Sequence, residues 1–203
     1  MISVIWVLSQ DTCYFFSTFE QKAMEQRYLE DIKAELINGY AKKRHPFRYF
    51  TLATVHKKAP RQRTVVLRKL LPDFNLLFFT DLRSQKVEDI KNNNTVSALF
   101  YHPKKLIQVK VDGKAQFVED KHTLKTYWNN IPEHSRKDYI TASAPGTPIA
   151  NPDHTSYNLE QHHFCAIHIV PTTIEYLQLK RPNHLRLKFS KQEGGWQDQF
   201  LVP

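Results

Sequence analysis

The stretch from Arg63 to Gln108 constrains the fold more than any other part of the chain. It passes from RTVVLR (Arg63–Arg68) through an apolar run ending FFTD (Phe78–Asp81) and RSQK (Arg83–Lys86) to IQVKVDG (Ile107–Gly113). Alternating apolar and polar residues predict strands on either side of a short helix. In that helix Val87 and Ile90 lie three apart, and Asn92 to Asn94 supply the stop. The expected order is strand, turn, strand, short helix and two further strands, with basic and hydroxyl groups at the junctions. Phosphate could bind at such junctions.

Ser84 stands at the N-cap position of the predicted helix, where free backbone N–H groups and the positive end of the dipole point outward. Lys86 adds a cation in the first turn, which is unfavourable unless an anion sits in front of it; a solvated surface lysine is the plainer alternative. On the strand RTVVLR, Arg63, Val65 and Leu67 face one way and Thr64, Val66 and Arg68 the other. The two arginines are therefore expected to do different jobs, one on a phosphate and the other on a different part of the ligand or on a second ligand. A solvated strand edge would also carry such residues.

In this order and spacing RTVVLR, FFTDLRSQK and IQVKVDGKAQ resemble the pyridoxamine 5'-phosphate oxidase family of FMN-binding split barrels. The likeness covers residues 46–115 well and the C-terminal strands more loosely. It implies a mainly β fold with flanking helices, with FMN as cofactor. Arg63 and Lys86 would hold the FMN phosphate and Gln108 would contact the flavin. Thr64, Val65, Val66, Leu67, Arg68, Phe79, Thr80, Ser84 and Gln85 complete the implied cofactor stretches, and Lys188 replaces a flavin-contacting arginine. The implied substrate site comprises Arg68, Tyr127, Ser135, His184 and Arg186. Three departures stand out: Leu177 replaces a tryptophan, the Arg-x-His pair is reversed as His184-x-Arg186, and Ile131 replaces an arginine for the substrate phosphate. The likeness also implies a homodimer with flavin sites between subunits. The implied reaction passes a hydride from an amine- or alcohol-bearing carbon to the flavin, with oxygen as acceptor and peroxide as product.

The net charge of +9, from 29 Lys and Arg against 20 Asp and Glu, favours anionic partners without choosing among them. Two other classes stay open: a non-catalytic flavin carrier or sensor, and a basic nucleic-acid-binding barrel, the latter less expected. At 203 residues the chain is expected to form a single domain, with residues 1–45 as an N-terminal helical extension. Cys13 and Cys165 form no framework of paired spacings, which suits a reducing, cytoplasmic setting. The opening MISVIWVL is too short for a membrane span and lacks the marks of a signal peptide.

Leu29, Ile32, Leu36 and Tyr40 predict a helix over Phe19–Lys43 covering one mouth of the barrel. Strands are expected at Phe47–His56, Leu76–Thr80, Val96–His102, Leu106–Phe117, His162–Val170, Thr173–Leu179, His184–Ser190 and Trp196–Val202, with a hairpin turn at Lys57–Arg61. Short helices are expected over His122–Ile131 and Glu133–Ala142, followed by a loop over Ser143–Ser156 that is functional or disordered. Gly113 inside a strand pattern signals a bulge or a close backbone approach. His162, His163, Cys165 and His168 invite a metal reading, but strand alternation divides them between two faces, so no metal is expected.

Overall fold

The computed structural model describes the backbone of residues 10–203 and the side chains from residue 26 onward. The MISVIWVL run and the Cys13 side chain lie outside the described residues. A helix α1 (Gln10–Ala41) precedes strands β1 (Tyr49–His56), β2 (Ala59–Val66), β3 (Lys69–Leu70) and β4 (Leu76–Asp81). Helix α2 (Gln85–Asn92), strands β5 (Thr95–His102) and β6 (Ile107–Phe117), and helices α3 (Lys121–Asn129) and α4 (Glu133–Arg136) follow. Strands β7 (Phe164–Gln178), β8 (Leu185–Gln192) and β9 (Gly195–Leu201) complete the chain.

The barrel closes because one stretch of chain pairs twice. Residues of β2 pair with β1 from Val66 opposite Tyr49 to Ala59 opposite His56. Beyond that ladder the Leu67 N–H donates to the Arg48 carbonyl at 2.9 Å, and the Arg68 N–H donates to the Leu77 carbonyl at 2.8 Å. Lys69 and Leu70 then pair with β4 as β3. The order β2-β1-β5-β6-β7-β4-β3 therefore returns to the segment it left.

β7 is one strand of 15 residues where the sequence predicted two. Its first half, Phe164–Ile169, pairs with β4, and its second half, Thr173–Gln178, pairs with β8. Pro171, which has no N–H to donate, falls in the gap where the neighbour on that edge changes. On the other edge β6 runs the full length, with a register shift at Asp112 and Gly113 opposite Pro171. A Cβ on Gly113 would lie 2.2 Å from the Val170 carbonyl oxygen, so the expected close approach is real.

Inward-facing side chains fill the barrel: Phe50 and Leu52 from β1, Phe78 from β4, Phe100 from β5, Val109 and Val111 from β6, and Ile167, Ile169 and Ile174 from β7 are all buried. Ile32 and Leu36 of α1 join the same core, and Leu29 and Tyr40 pack against it, as their spacing required. α1 begins at Gln10, ahead of the expected Phe19. The first strand starts at Tyr49 because Pro46–Arg48 form a 3-10 turn, and Pro60 lies inside β2, opposite Val55. A second apolar cluster of Leu77, Ile131, Tyr139, Phe164 and Ala166 lies on the outer side of β4 and β7, with Leu124, Tyr127 and Trp128 of α3 packed against it.

The turn between α1 and β1 is fixed by a polar clamp. Glu35 pairs with Lys105, and its Oε2 lies 3.2 Å from His45 Nε2. Glu35, His45 and His102 bring ligand-type atoms within 4.8 Å of one another. Each imidazole accepts a backbone N–H at Nδ1, His45 from Phe47 at 3.2 Å and His102 from Lys105 at 3.3 Å. The neutral rings therefore carry their proton on Nε2, which leaves no lone pair there for a metal, and the Lys105 ammonium already occupies the carboxylate.

Two outcomes follow from this architecture. Gly113→Ala drives a Cβ into backbone, so it should cost about 1–3 kcal/mol and lower the melting temperature by roughly 2–10 °C. An unchanged melting temperature would mean that the bulge relaxes freely. The pKa of His45 is lowered by burial, against the pull of Glu35 and with the push of His102, Lys105 and Lys42. The unfolded chain therefore takes up this proton first, and stability should fall as pH drops below about 6.5. Melting curves from about pH 7.5 to 5.5 should show that loss, with a shallower slope in His45→Gln; parallel slopes would assign the loss to other groups.

Candidate functional site

The start of α2 gathers the groups expected there. Ser84 takes the extended N-cap conformation, but its hydroxyl does not cap the helix and instead lies 3.2 Å from Thr80 Oγ1 at the end of β4. Lys86 Nζ donates to the same Thr80 oxygen at 2.9 Å. Arg63 reaches in from β2: Nη1 donates to Thr54 Oγ1 at 2.6 Å and Nη2 to Asp89 Oδ2 at 3.2 Å. Asp89 is 1% exposed and also receives the Thr54 hydroxyl at 2.7 Å, with His56 Nδ1 at 2.9 Å from its other oxygen. Burial pushes the Asp89 carboxyl up, but Thr54, His56, Gln85 and Arg63 outweigh it and hold the group below the usual carboxylate range.

Lys86 carries the surplus charge. Among the described residues no carboxylate forms an ion pair with it, whereas Arg63 has Asp89. Burial, followed by repulsion from Arg63, lowers its pKa. A desolvated ammonium, two hydroxyls and the outward-pointing N–H groups at the start of a helix make a site that favours an anion. These residues fit a phosphate monoester such as that of FMN.

Arg68 leaves the barrel on the opposite face, as the alternation predicted. Its Nη2 donates to the Tyr139 hydroxyl at 3.4 Å, and its guanidinium carbon lies 5.4 Å from the centre of the Phe79 ring. Its Nε is buried without a hydrogen-bond partner among the described residues. Phe79 packs on Tyr127 at 5.5 Å between ring centres, so Tyr127 is part of this wall. Ser135 is half-buried between Ile131 and Tyr139 in the chain, its N–H donating to the Pro132 carbonyl at 2.8 Å. Ile131 is 4% exposed and lies wholly within the apolar cluster. Burial raises the Tyr139 pKa against the pull of Arg68.

The C-terminal residues do not join this group within one chain. Arg186 and Lys188 lie on β8, opposite Leu177 and Glu175 of β7, whereas Thr80 lies opposite Cys165 near the other end of that strand. His184 precedes β8 and accepts the Lys180 N–H at Nδ1, so it does not share a strand face with Arg186 as expected. Arg186 pairs with Glu175 at 2.8 Å. Gln108 projects from the half-buried outer side of β6, between Tyr101 and Leu177. Gln85 donates to Glu88 at 2.9 Å, while Thr64 is exposed and Val65 and Leu67 face the core.

Several supporting residues were not singled out from sequence. Asp89, Thr54 and His56 orient Arg63; Tyr139 holds Arg68; Glu175 neutralises Arg186. Asp89 had a readable signal, since it follows Lys86 by three residues on α2 and so shares its face. Arg83 bonds Asp81 at 2.7 Å and reaches the Thr141 carbonyl at 2.8 Å, tying the start of the Ser143–Ser156 segment to the end of β4. Its pKa is raised by the hydrogen bond to Asp81. His162 stacks on Trp128 at 4.1 Å, and burial pushes the Cys165 thiol up to about 11. Among the described residues His162, His163, Cys165 and His168 form no common ligand set. No described helix is long and apolar enough to cross a membrane.

The chain is similar to proteins of known family. The family model of the pyridoxamine 5'-phosphate oxidase FMN-binding domain matches residues 26–119. A pyridoxine/pyridoxamine 5'-phosphate oxidase of Pelagibacter ubique is 32% identical over 153 residues, covering 66% of this chain and 73% of the relative. One from Teredinibacter turnerae is 31% identical over 75% of this chain and 78% of the relative. A pyridoxamine 5'-phosphate oxidase-related, FMN-binding protein of Nostoc punctiforme superimposes with a TM-score of 0.72 at 23% identity, over 85% of this chain and 96% of that one. PhzG of Burkholderia lata superimposes with a TM-score of 0.66 at 16% identity, over 90% and 92% of the two chains. The last two show the shared split-barrel fold. The chain belongs to the FMN-binding pyridoxamine 5'-phosphate oxidase family.

Proposed function

We propose that the protein is an FMN-dependent oxidase of a small anionic amine or alcohol, working as a homodimer. The observation that carries this reading is Lys86: a half-buried ammonium with no carboxylate partner among the described residues, held beside Thr80, Ser84 and Arg63 at the start of α2. In this reading Arg63, Thr80, Ser84 and Lys86 hold the FMN phosphate, with Gln85, Phe79 and the Arg63–Arg68 strand alongside. Gln108 and Lys188 contact the flavin. FMN, when bound, supplies two-electron redox chemistry with oxygen as acceptor. Arg68, Tyr127 and Ser135 bind and orient the substrate, and no side chain is assigned a proton-transfer role.

The homodimer reading rests on two features. Arg186 and Lys188 on β8, with His184 just before it, lie against the end of β7 away from the Arg68 group, so a second copy is needed to bring both sets to one ligand. Tyr49, Leu99 and Tyr101 are exposed on the outer side of β1 and β5, next to Gln108, and offer an apolar face for that copy. A cytoplasmic setting accords with this chemistry. Burial of Ile131 in the apolar cluster favours a second reading, a flavin carrier that has lost the substrate site.

Purified protein distinguishes the readings. The oxidase reading expects bound FMN and peroxide release that depends on an added small anionic amine or alcohol. FMN without substrate-dependent peroxide across an amine and alcohol screen would leave the carrier, and absence of FMN would overturn both.

Arg63→Ala and Lys86→Ala should each weaken FMN binding by about tenfold to hundredfold, the equivalent of one charge-assisted bond of about 1.5–3 kcal/mol. Fluorescence titration measures this, and unchanged affinity in both variants would remove the phosphate assignment. Arg68→Ala should lower turnover more than flavin occupancy. Flavin loss with normal turnover of the remaining holoprotein would reverse the division of labour between the two arginines.

A further inference from the structure

We infer that the Arg68 site selects a planar aromatic substrate bearing one negative charge, a carboxylate, over a phosphate dianion; this rests on the oxidase reading above. Arg68 differs from Arg63, Arg83 and Arg186. Arg63 is paired with Asp89, Arg83 with Asp81 and Arg186 with Glu175, but no carboxylate among the described residues pairs with Arg68. Its Nε is buried and has no hydrogen-bond partner among the described residues, so the guanidinium carries an unmade hydrogen bond as well as an uncompensated charge. A guanidinium fork matches one planar carboxylate through two parallel N–H donors.

The surroundings set the limit at one charge. Ile131 fills its place in the apolar cluster and offers no donor side chain. Arg136 lies over Trp128 at 5.1 Å and donates to the Ile131 and Asn129 carbonyls at 3.1 and 3.2 Å, and Lys137 lies over the Tyr157 ring at 5.6 Å. Asp138, beside Tyr139, adds a negative charge to the neighbourhood. Arg186, were it brought in by a second copy, would arrive already neutralised by Glu175. A dianion would leave one negative charge half-buried and unpaired, whereas a monoanion balances Arg68. The walls on offer are rings: Phe79 and Tyr127 are half-buried, 5.5 Å apart between centres, and Phe79 already stacks with the guanidinium. An aromatic body continuing from the carboxylate lies against those faces.

The test uses FMN-loaded protein, its flavin content read by absorbance beforehand, titrated calorimetrically with benzoate and with phenyl phosphate, which share a ring and differ in the anion. Benzoate should bind at least about tenfold more tightly, and Arg68→Gln should abolish that preference. Ile131→Arg should reverse it; should that variant fail to fold, the wild-type ranking and Arg68→Gln still decide. Equal affinities, tighter phenyl phosphate, or no binding of either in flavin-loaded protein would overturn this inference alone. Protein that never takes up FMN would overturn it together with the oxidase reading.

Discussion

Asp89 is the fixed point from which the candidate site is built. A carboxylate in the first two turns of a short helix would ordinarily be solvated, but here it is 1% exposed and ringed by Thr54, His56, Gln85 and Arg63. Burying the charge is costly, and each of these donors offsets part of that cost. The result is rigid registration of three elements. α2 is locked to β1 through Thr54 and His56, and to β2 through Arg63, so the helix start and the arginine cannot drift apart. Lys86, one turn earlier on the same face, is left without a carboxylate partner among the described residues.

Barrel closure supplies the frame for this registration. Because residues 59–70 pair first with β1 and then with β4, Arg63 and Arg68 belong to one extended run of chain that crosses a corner of the barrel. Val65 and Leu67 anchor that crossing in the core. Arg63 thus points to the anion site and Arg68 to the aromatic outer cluster, a separation enforced by the pleat and not by any loop. On the far side, β7 changes partner near Pro171, and the close packing of Gly113 on Val170 allows β6 to follow both halves.

The electrostatics follow a consistent division. Arginines that serve the frame carry their own counter-ions: Arg83 with Asp81 ties the Thr141 region to β4, and Arg186 with Glu175 stabilises the outer strands. Among the described residues Lys86 and Arg68 have none, and the proposed cofactor and substrate readings rest on these two cations, with the Asp89-paired Arg63 beside Lys86. A net charge of +9 is uninformative until it is known which positive groups are already compensated.

The sequence by itself determined most of the barrel and the outline of the site. Alternation placed Arg63 and Arg68 on opposite faces, the Ser84 and Lys86 spacing marked a helix start, and an isolated Gly113 marked the bulge, because each is a local rule of backbone geometry. It divided β7 in two, since Pro171 reads as a break when the partner on its edge is not visible. It also put His184 on a strand with Arg186, whereas the strand begins at Leu185 and the imidazole accepts a turn N–H. Only the tertiary structure decided which charges are compensated. Asp89 and Arg63 lie 26 residues apart and Arg68 and Tyr139 lie 71 apart, so their meeting depends on how the sheet closes and not on any local pattern.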